Sequence, residues 1–273
     1  MSARAIDLWV NVTMGEQEPP DFLVRVKEDY FKGGDDFFRN IEPEQLIADM
    51  DEAGVEKAVV TLDASNPSKH ALRFAAKYPG RVFYAASLAP TGRMQEVWDF
   101  AALAAGEPVV MARVVPFTTD LPPSHAHYFP LYVKCIELDL PVSINTGLPG
   151  PPVPGECQNP MHLDRVCFQL PELKICMAHG ADPWWNVAIR LMIKYKNLHL
   201  MTSAYAPRYL PPELIHFMNT RGQDKVLFAS DHPVLSFQRC VGEARKLDLR
   251  PGVLDKYLRA NAERLFFAPR RPR

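Results

Sequence analysis

Residues 109–147 read VVMARVVPFTTDLPPSHAHYFPLYVKCIELDLPVSINTG. A β-branched run at 109–115 leads through a Pro-rich turn into a helical pattern at 127–139, and a second β-branched run follows at 141–146. Strands joined through a helix pair parallel, because a parallel neighbour needs a long crossover and a hairpin cannot supply it.

The same unit recurs in both directions along the chain. Strands are expected at 5–11, 56–62, 81–87, 109–115, 141–146, 173–178, 197–202 and 225–229. Helical patterns fall at 43–54, 68–80, 94–106, 127–139, 182–195, 211–222, 236–247 and 252–267. The first of these opens on Pro43 and stops at Gly54, the usual proline-first, glycine-last asymmetry. Eight strand–helix repeats in 273 residues have the size and rhythm of one TIM (β/α)8-barrel, an α/β fold in a single domain over residues 1–273. A doubly wound open sheet is the rival, but no GxGxxG follows the first strand.

Composition narrows the function. Net charge is -1, with 47% hydrophobic and 23% charged residues, so nothing presents a basic face to nucleic acid. The one basic cluster, Arg270, Arg271 and Arg273, reads as a solvated end. No apolar run has the ~20 residues that span a bilayer, and the start MSARAIDLWV lacks a signal-peptide pattern, so a cytoplasmic protein without a membrane partner is expected. Cys135, Cys157, Cys167, Cys176 and Cys240 are odd in number and show no CxxC, which reads as reduced core thiols. A homodimer is the base-rate expectation for assembly.

Two connections exceed an ordinary βα-loop: 12–40, rich in acids and aromatics, and the Pro/Gly-rich 147–160. Both follow strands, so both belong to the C-terminal face of the barrel, where the loops build the site as a lid and a pocket wall. Polar residues at the strand ends are the candidates: Asp7, Trp9 and Asn11; Arg113; Asn145 and Thr146; His179; Thr202, Ser203 and Tyr205; Ser230, Asp231 and His232. His232 is expected to point away, next to Asp231 in an extended chain, and His125 and His127 to sit on the surface.

Four segments in order, PVSINTG, LKICMAHGADPWW, KVLFASDHP and NAERLF, resemble the corresponding strands and closing helix of the amidohydrolase-related family. That family comprises metal-dependent hydrolases and decarboxylases on a (β/α)8-barrel, so the resemblance implies the same fold and a small-molecule substrate. It also implies that His179 is the acid/base histidine and Asp231 the carboxylate of the eighth strand. The departures are specific. The family's opening D-x-H-x-H is Asp7-Leu8-Trp9-Val10-Asn11 here, and the histidine of its fifth strand is Asn145. Trp has no lone pair for a metal, and an Asn carbonyl suits calcium or magnesium better than zinc. No metal or other cofactor is therefore expected, with a weak magnesium or calcium site at Asp231, Asn11 and Asn145 left open.

Without a metal, Asp231 and His179 within hydrogen-bond reach would form an acid/base pair. Asn11, Asn145 and Tyr205 would hold substrate, Trp9 would stack on it, and Arg113 would clamp a carboxylate bidentately. The structural alternatives are a buried Arg113–Asp231 ion pair, mutually bonded asparagines and Trp9 as core filling. Three functional readings stand: a metal-independent hydrolase of a small carboxylated or cyclic ester, lactone or amide; a non-oxidative decarboxylase or other lyase; and an inactive barrel acting as a partner subunit. Contact between Asp231 and His179 in an open polar pocket favours catalysis, and a mouth plugged by Trp9 favours the partner role.

Overall fold

Strand periodicity decides which side chains meet inside the molecule. In the computed structural model, which describes residues 4–270, the strands are β1 (Ala5–Val10), β2 (Val55–Asp63), β3 (Val82–Ser87), β4 (Val109–Val114), β5 (Val142–Asn145), β6 (Ile175–Ala178), β7 (Leu198–Met201) and β8 (Val226–Leu227). They form one parallel sheet in chain order, as the repeats predict. Arg271 and Arg273 lie outside the described residues.

Alternation splits the strands into two apolar layers. Val60, Tyr84, Ile144, Met177, Leu200 and Phe228 pack outward with buried helix residues such as Phe74, Phe100 and Phe237. Val59, Ala85, Met111, Cys176, Met201 and Leu227 pack inward. Burying each large apolar side chain contributes roughly 1.5–3 kcal/mol. Continuing the inward parity one step up each strand reaches Thr61, Arg113, Asn145, Ser203 and, two steps beyond Leu227, Asp231. The barrel's geometry thus puts polar side chains above an apolar floor.

The helices are α1 (Asp21–Arg25), α2 (Pro43–Ala53), α3 (Lys69–Lys77), α4 (Met94–Gly106), α5 (Phe129–Glu137), α6 (His162–Gln169), α7 (Trp185–Lys194), α8 (Pro212–Met218) and α9 (Phe237–Ala244), followed by a closing helical stretch that begins with α10 (Val253–Asp255). Gly54 ends α2 at φ 79, a conformation that costs glycine nothing. The Ser68 and Ser236 hydroxyls accept the N–H groups of Ala71 and Arg239 at the starts of α3 and α9. Helix α6 is absent from the sequence-based expectation, because the Pro/Gly run before it masks the short periodic stretch 162–169. The first long connection is also no plain loop: α1 continues as helix to Phe31. The closing stretch plugs the lower end, with Phe266 in the inner layer and Phe267 edge-on to Phe83 at 4.8 Å between ring centroids.

The sheet closes on a thin seam. β8 has only two residues, and β1 and β8 share no ladder. The seam instead uses one parallel bridge, Val10 with His232, an Asn11 N–H bond to the His232 carbonyl at 2.8 Å and an Asp231 N–H bond to the Trp9 carbonyl at 3.1 Å. The buried Asp7 carboxylate completes it by accepting the N–H of Trp9 and of Ser230, each at 3.1 Å. A side chain here replaces a missing backbone acceptor.

All five cysteines are free and buried, Cys157 included, as reduced core thiols would be. Among the described residues no helix is long and apolar enough to cross a membrane.

Candidate active site

The residues expected at the barrel mouth do converge, but along a different path from a direct His179–Asp231 pair. Asp231 Oδ1 accepts from Asn11 Nδ2 at 2.8 Å, and Asn11 Oδ1 accepts from the Thr61 hydroxyl at 3.0 Å. Thr61 Oγ1 in turn accepts from Arg113 Nη1, while Arg113 Nη2 donates to the Leu8 carbonyl at 2.7 Å. The guanidinium carbon sits 3.5 Å from the centroid of the Trp9 ring, and Trp9 meets the His179 ring at 4.3 Å between centroids. The chain of contacts runs from carboxyl to imidazole through four side chains, Asn11, Thr61, Arg113 and Trp9.

His179 has its own partner. Its Nδ1 lies 2.7 Å from the Ser203 hydroxyl, which also accepts the His179 backbone N–H at 3.0 Å. There is thus no hydrogen bond between His179 and Asp231. The physical reason is the turn after β6: His179 takes φ 61 and Gly180 φ 68, which swings the imidazole toward the β7 loop. Thr146 ties the same turn from the other side, its hydroxyl donating to the Gly180 carbonyl at 2.6 Å.

Arg113 also differs from the expected clamp. It is fully buried, both Nη atoms are engaged inside the barrel, and Nε is buried without a partner. It stacks on Trp9, and its fork is spent on Thr61 and the Leu8 carbonyl and not on the open mouth. Neither an Arg113–Asp231 ion pair nor an Asn11–Asn145 hydrogen bond forms. Asn145 is buried with Oδ1 unpartnered. Tyr205 is half-buried against Trp185, ring centroids 5.3 Å apart. His232 points outward as expected and stacks on Phe237 at 4.0 Å. His127 is exposed and His125 half-buried, its ring accepting the His127 N–H.

Two atoms of titratable side chains remain uncommitted at the top. Asp231 Oδ2 and His179 Nε2 have no intramolecular hydrogen bond, and neither is among the buried unpartnered atoms, so both reach the mouth. Burial raises the Asp231 pKa to about 8, against the pull of Asn11 and Arg113. Burial, helped by the Arg113 charge, lowers that of His179 to about 3. The strand ends thus carry one carboxyl that can gain or lose a proton near neutrality and one imidazole that stays neutral.

These shifts fix the pH dependence of stability. Burial also lowers His199 to about 3 and His232 to about 4 and raises Asp7 to about 6. Between pH 4.5 and 6 the unfolded chain protonates three histidines that the fold keeps neutral, while the fold protonates two carboxyls that the unfolded chain ionises. The unfolded state then holds about one extra proton, and stability rises with pH by about 1.4 kcal/mol per unit. Between pH 6.5 and 7.5 the unfolded histidines lose their remaining protons, while in the fold Asp231 keeps its proton and Lys225, lowered to about 8 by burial, begins to lose one. These contributions nearly cancel, so stability levels off. Melting temperature is expected to rise from pH 5 to a plateau that begins between pH 6.5 and 7, and a profile flat from pH 5 to 6.5 would refute this reading of the buried groups.

The residues do not fit a divalent transition metal. Asp231 supplies the carboxylate of the hydrogen-bonded network, Asn11 is already bonded at both ends of its amide, Trp9 supplies no lone pair, and the Arg113 guanidinium stacked on Trp9 repels a second cation. Among the described residues no group of three or more His, Cys, Asp or Glu side chains could hold a metal ion. Sequence reasoning placed Asp7 and Ser203 at the strand ends without their bonding roles and missed Thr61. Inward parity would have found Thr61, since it lies two residues beyond the inward Val59.

Comparison with known proteins places the chain. No curated protein matches it. Among solved structures it resembles an uncharacterized TIM-barrel protein from Bordetella bronchiseptica at 23% identity and a TM-score of 0.77, over 96% of this chain and 98% of that one. It also resembles 5-carboxyvanillate decarboxylase from Sphingomonas paucimobilis at 17% identity and a TM-score of 0.73, covering 97% and 99%. A third is a probable 2-pyrone-4,6-dicarboxylic acid hydrolase from Acinetobacter baumannii, solved with citric acid bound, at 16% identity and a TM-score of 0.64, covering 97% and 99%. These likenesses establish the shared barrel. A family model described as amidohydrolase matches residues 6–268, and with nearly the whole barrel inside that match the chain belongs to the amidohydrolase family.

Proposed function

We propose that this chain is a hydrolase that works without a metal, cleaving an ester, lactone or amide in a small carboxylated or cyclic substrate. One observation carries the reading: Asp231 Oδ2 and His179 Nε2 are both uncommitted and both open to the mouth, above a network that satisfies the rest of Asp231. A side chain without function at that depth would be expected to spend its polar atoms on the protein.

The chemistry follows from the groups. Water bound beside Asp231 gives a proton to Oδ2 as its oxygen bonds to the substrate carbonyl carbon. The C–O or C–N bond then breaks, and the leaving oxygen or nitrogen takes the proton from Asp231. A pKa of about 8 suits both halves, because the acid and the base forms are then accessible near neutral pH. His179 faces the same space as a neutral hydrogen-bonding group. Asn145 binds the substrate and Asn11 holds the carboxyl in place, while Trp9 and Tyr205 form apolar walls. Arg113 acts from inside the barrel: its buried charge stabilises negative charge developing at the mouth, where a low dielectric lengthens its reach.

A second reading, an inactive barrel serving a partner, draws on Trp9, which is 6% exposed and packs between Arg113 and His179. The test separates these and the decarboxylase. Purified protein is offered 2-pyrone-4,6-dicarboxylate, the compound in the Acinetobacter hydrolase's name, together with simple carboxylated lactones, esters, amides and phenolic acids, in 18O-labelled water with and without a chelator. Hydrolysis is expected, with one labelled oxygen in the product and a rate indifferent to the chelator. Release of carbon dioxide without label uptake, activity lost on chelation, or no turnover on any compound would each overturn the proposal.

A further inference from the structure

Ser203 lies behind the His179 ring, and the hydrogen-bond count around it leaves one arrangement of protons. Its hydroxyl is fully buried on the loop after β7. Its oxygen accepts the His179 backbone N–H at 3.0 Å, and the remaining neighbour is Nδ1 of the same residue at 2.7 Å. If Nδ1 carried the proton, Ser203 would accept twice and its own O–H would be buried with no acceptor. An unmet buried donor is a substantial penalty. If the hydroxyl donates to Nδ1, every polar atom is satisfied, and the ring proton must sit on Nε2, the atom that opens to the mouth.

We infer that Ser203 is a positioning residue that locks His179 in its Nε2–H form, so that His179 meets the substrate as a hydrogen-bond donor and not as a base. The inference rests on the proposed hydrolysis for its chemical meaning, but not for its geometry. In that reaction the Nε2–H points at the carbonyl oxygen and stabilises the oxyanion, while the water's proton goes to Asp231. Other contacts hold the ring in the same pose. Trp9 packs against it at 4.3 Å, and Thr146 and Ser203 grip the backbone of the turn from the β5 and β7 sides. The lowered His179 pKa agrees, since a neutral ring is what the lock requires. Ser203 itself cannot reach substrate, as it sits on the Nδ1 side with no exposed surface.

The test needs no substrate. Long-range 1H–15N correlation spectra of the full-length, 15N-labelled protein at pH 7 distinguish the two neutral tautomers, and a His179→Gln variant assigns the signals. The wild type is expected to show Nε2 protonated and Nδ1 bare. In Ser203→Ala the His179 signals should move toward a tautomer mixture, and Ser203→Thr, which keeps the hydroxyl, should restore them. A wild-type Nδ1–H signature, or a folded Ser203→Ala variant with unchanged His179 signals, would overturn the inference. Should Ser203→Ala fail to fold, the wild-type spectrum still decides. With a substrate in hand, Ser203→Ala is expected to lower kcat about 10-fold or more with KM little changed. Covalent labelling of Ser203 by an organophosphonate would also refute a positioning role, since it would make the serine a nucleophile. A correct tautomer without any hydrolysis would sink the proposed function and leave the lock standing.

Discussion

Replacing Asp231 by Asn should lower kcat for hydrolysis by about 10²- to 10⁴-fold while leaving the melting temperature within a few degrees of wild type. The loss is the contribution that a positioned general base makes. An amide at 231 still offers an oxygen to Asn11 Nδ2, whose donor bond of 2.8 Å is what holds the side chain, but it cannot take a proton from water. The backbone should tolerate the change, because residue 231 sits at φ 75 and Asn is one of the few side chains at ease there. The wild-type rate should climb with pH toward a limb near 8, as Asp231 loses its proton and becomes able to accept one, and that limb should vanish in the variant. The measurement is kcat and kcat/KM across pH 5.5–9 with the substrate found by the labelled-water screen. Unchanged turnover in a folded Asp231→Asn protein would remove this carboxyl from the mechanism.

The largest effect on stability is expected at Asp7, far less visible from outside. Asp7→Ala deletes the acceptor shared by the Trp9 and Ser230 N–H groups and leaves both buried at the one seam where the sheet has almost no ladder. Each stranded donor costs about 1–3 kcal/mol, so a loss of about 4 kcal/mol is expected in urea unfolding. For a domain of this size that is a fall of roughly 10 °C in Tm. Asp7→Asn should cost less than half as much, because one oxygen can still accept both bonds. The wild-type carboxyl, raised to about 6 by burial, is itself protonated in mild acid without loss of those acceptors. Equal losses in the two variants would show that the negative charge beside Arg113, and not hydrogen bonding at the seam, is what the fold needs.

The architecture was legible because it rests on local, repeating signals. A β-branched run of five residues makes a strand wherever it occurs, and inward parity follows from the strand itself. Helix α6 escaped because it is short and its periodicity is broken by the Pro/Gly stretch before it. The mouth residues were legible by position for the same reason: Asp231, His179, Asn11, Asn145 and Arg113 are all where strand ends put them. Thr61 was passed over although it carries the bond between Arg113 and Asn11, since a lone threonine in a strand is ordinarily only a good strand former.

What the chain order alone determined is the barrel, the family and which polar residues gather at one end, since these depend on periodicity and strand count. Tertiary structure alone decided the pairing: His179 turned to Ser203, Arg113 spent on Thr61 and Leu8, Asp7 spanning the seam. A hydrogen bond is settled within a few tenths of an ångström and a few tens of degrees. Spacing along a strand places a side chain on the right face, but only the twist of neighbouring strands and the turn at φ 61 bring one particular donor to one particular acceptor.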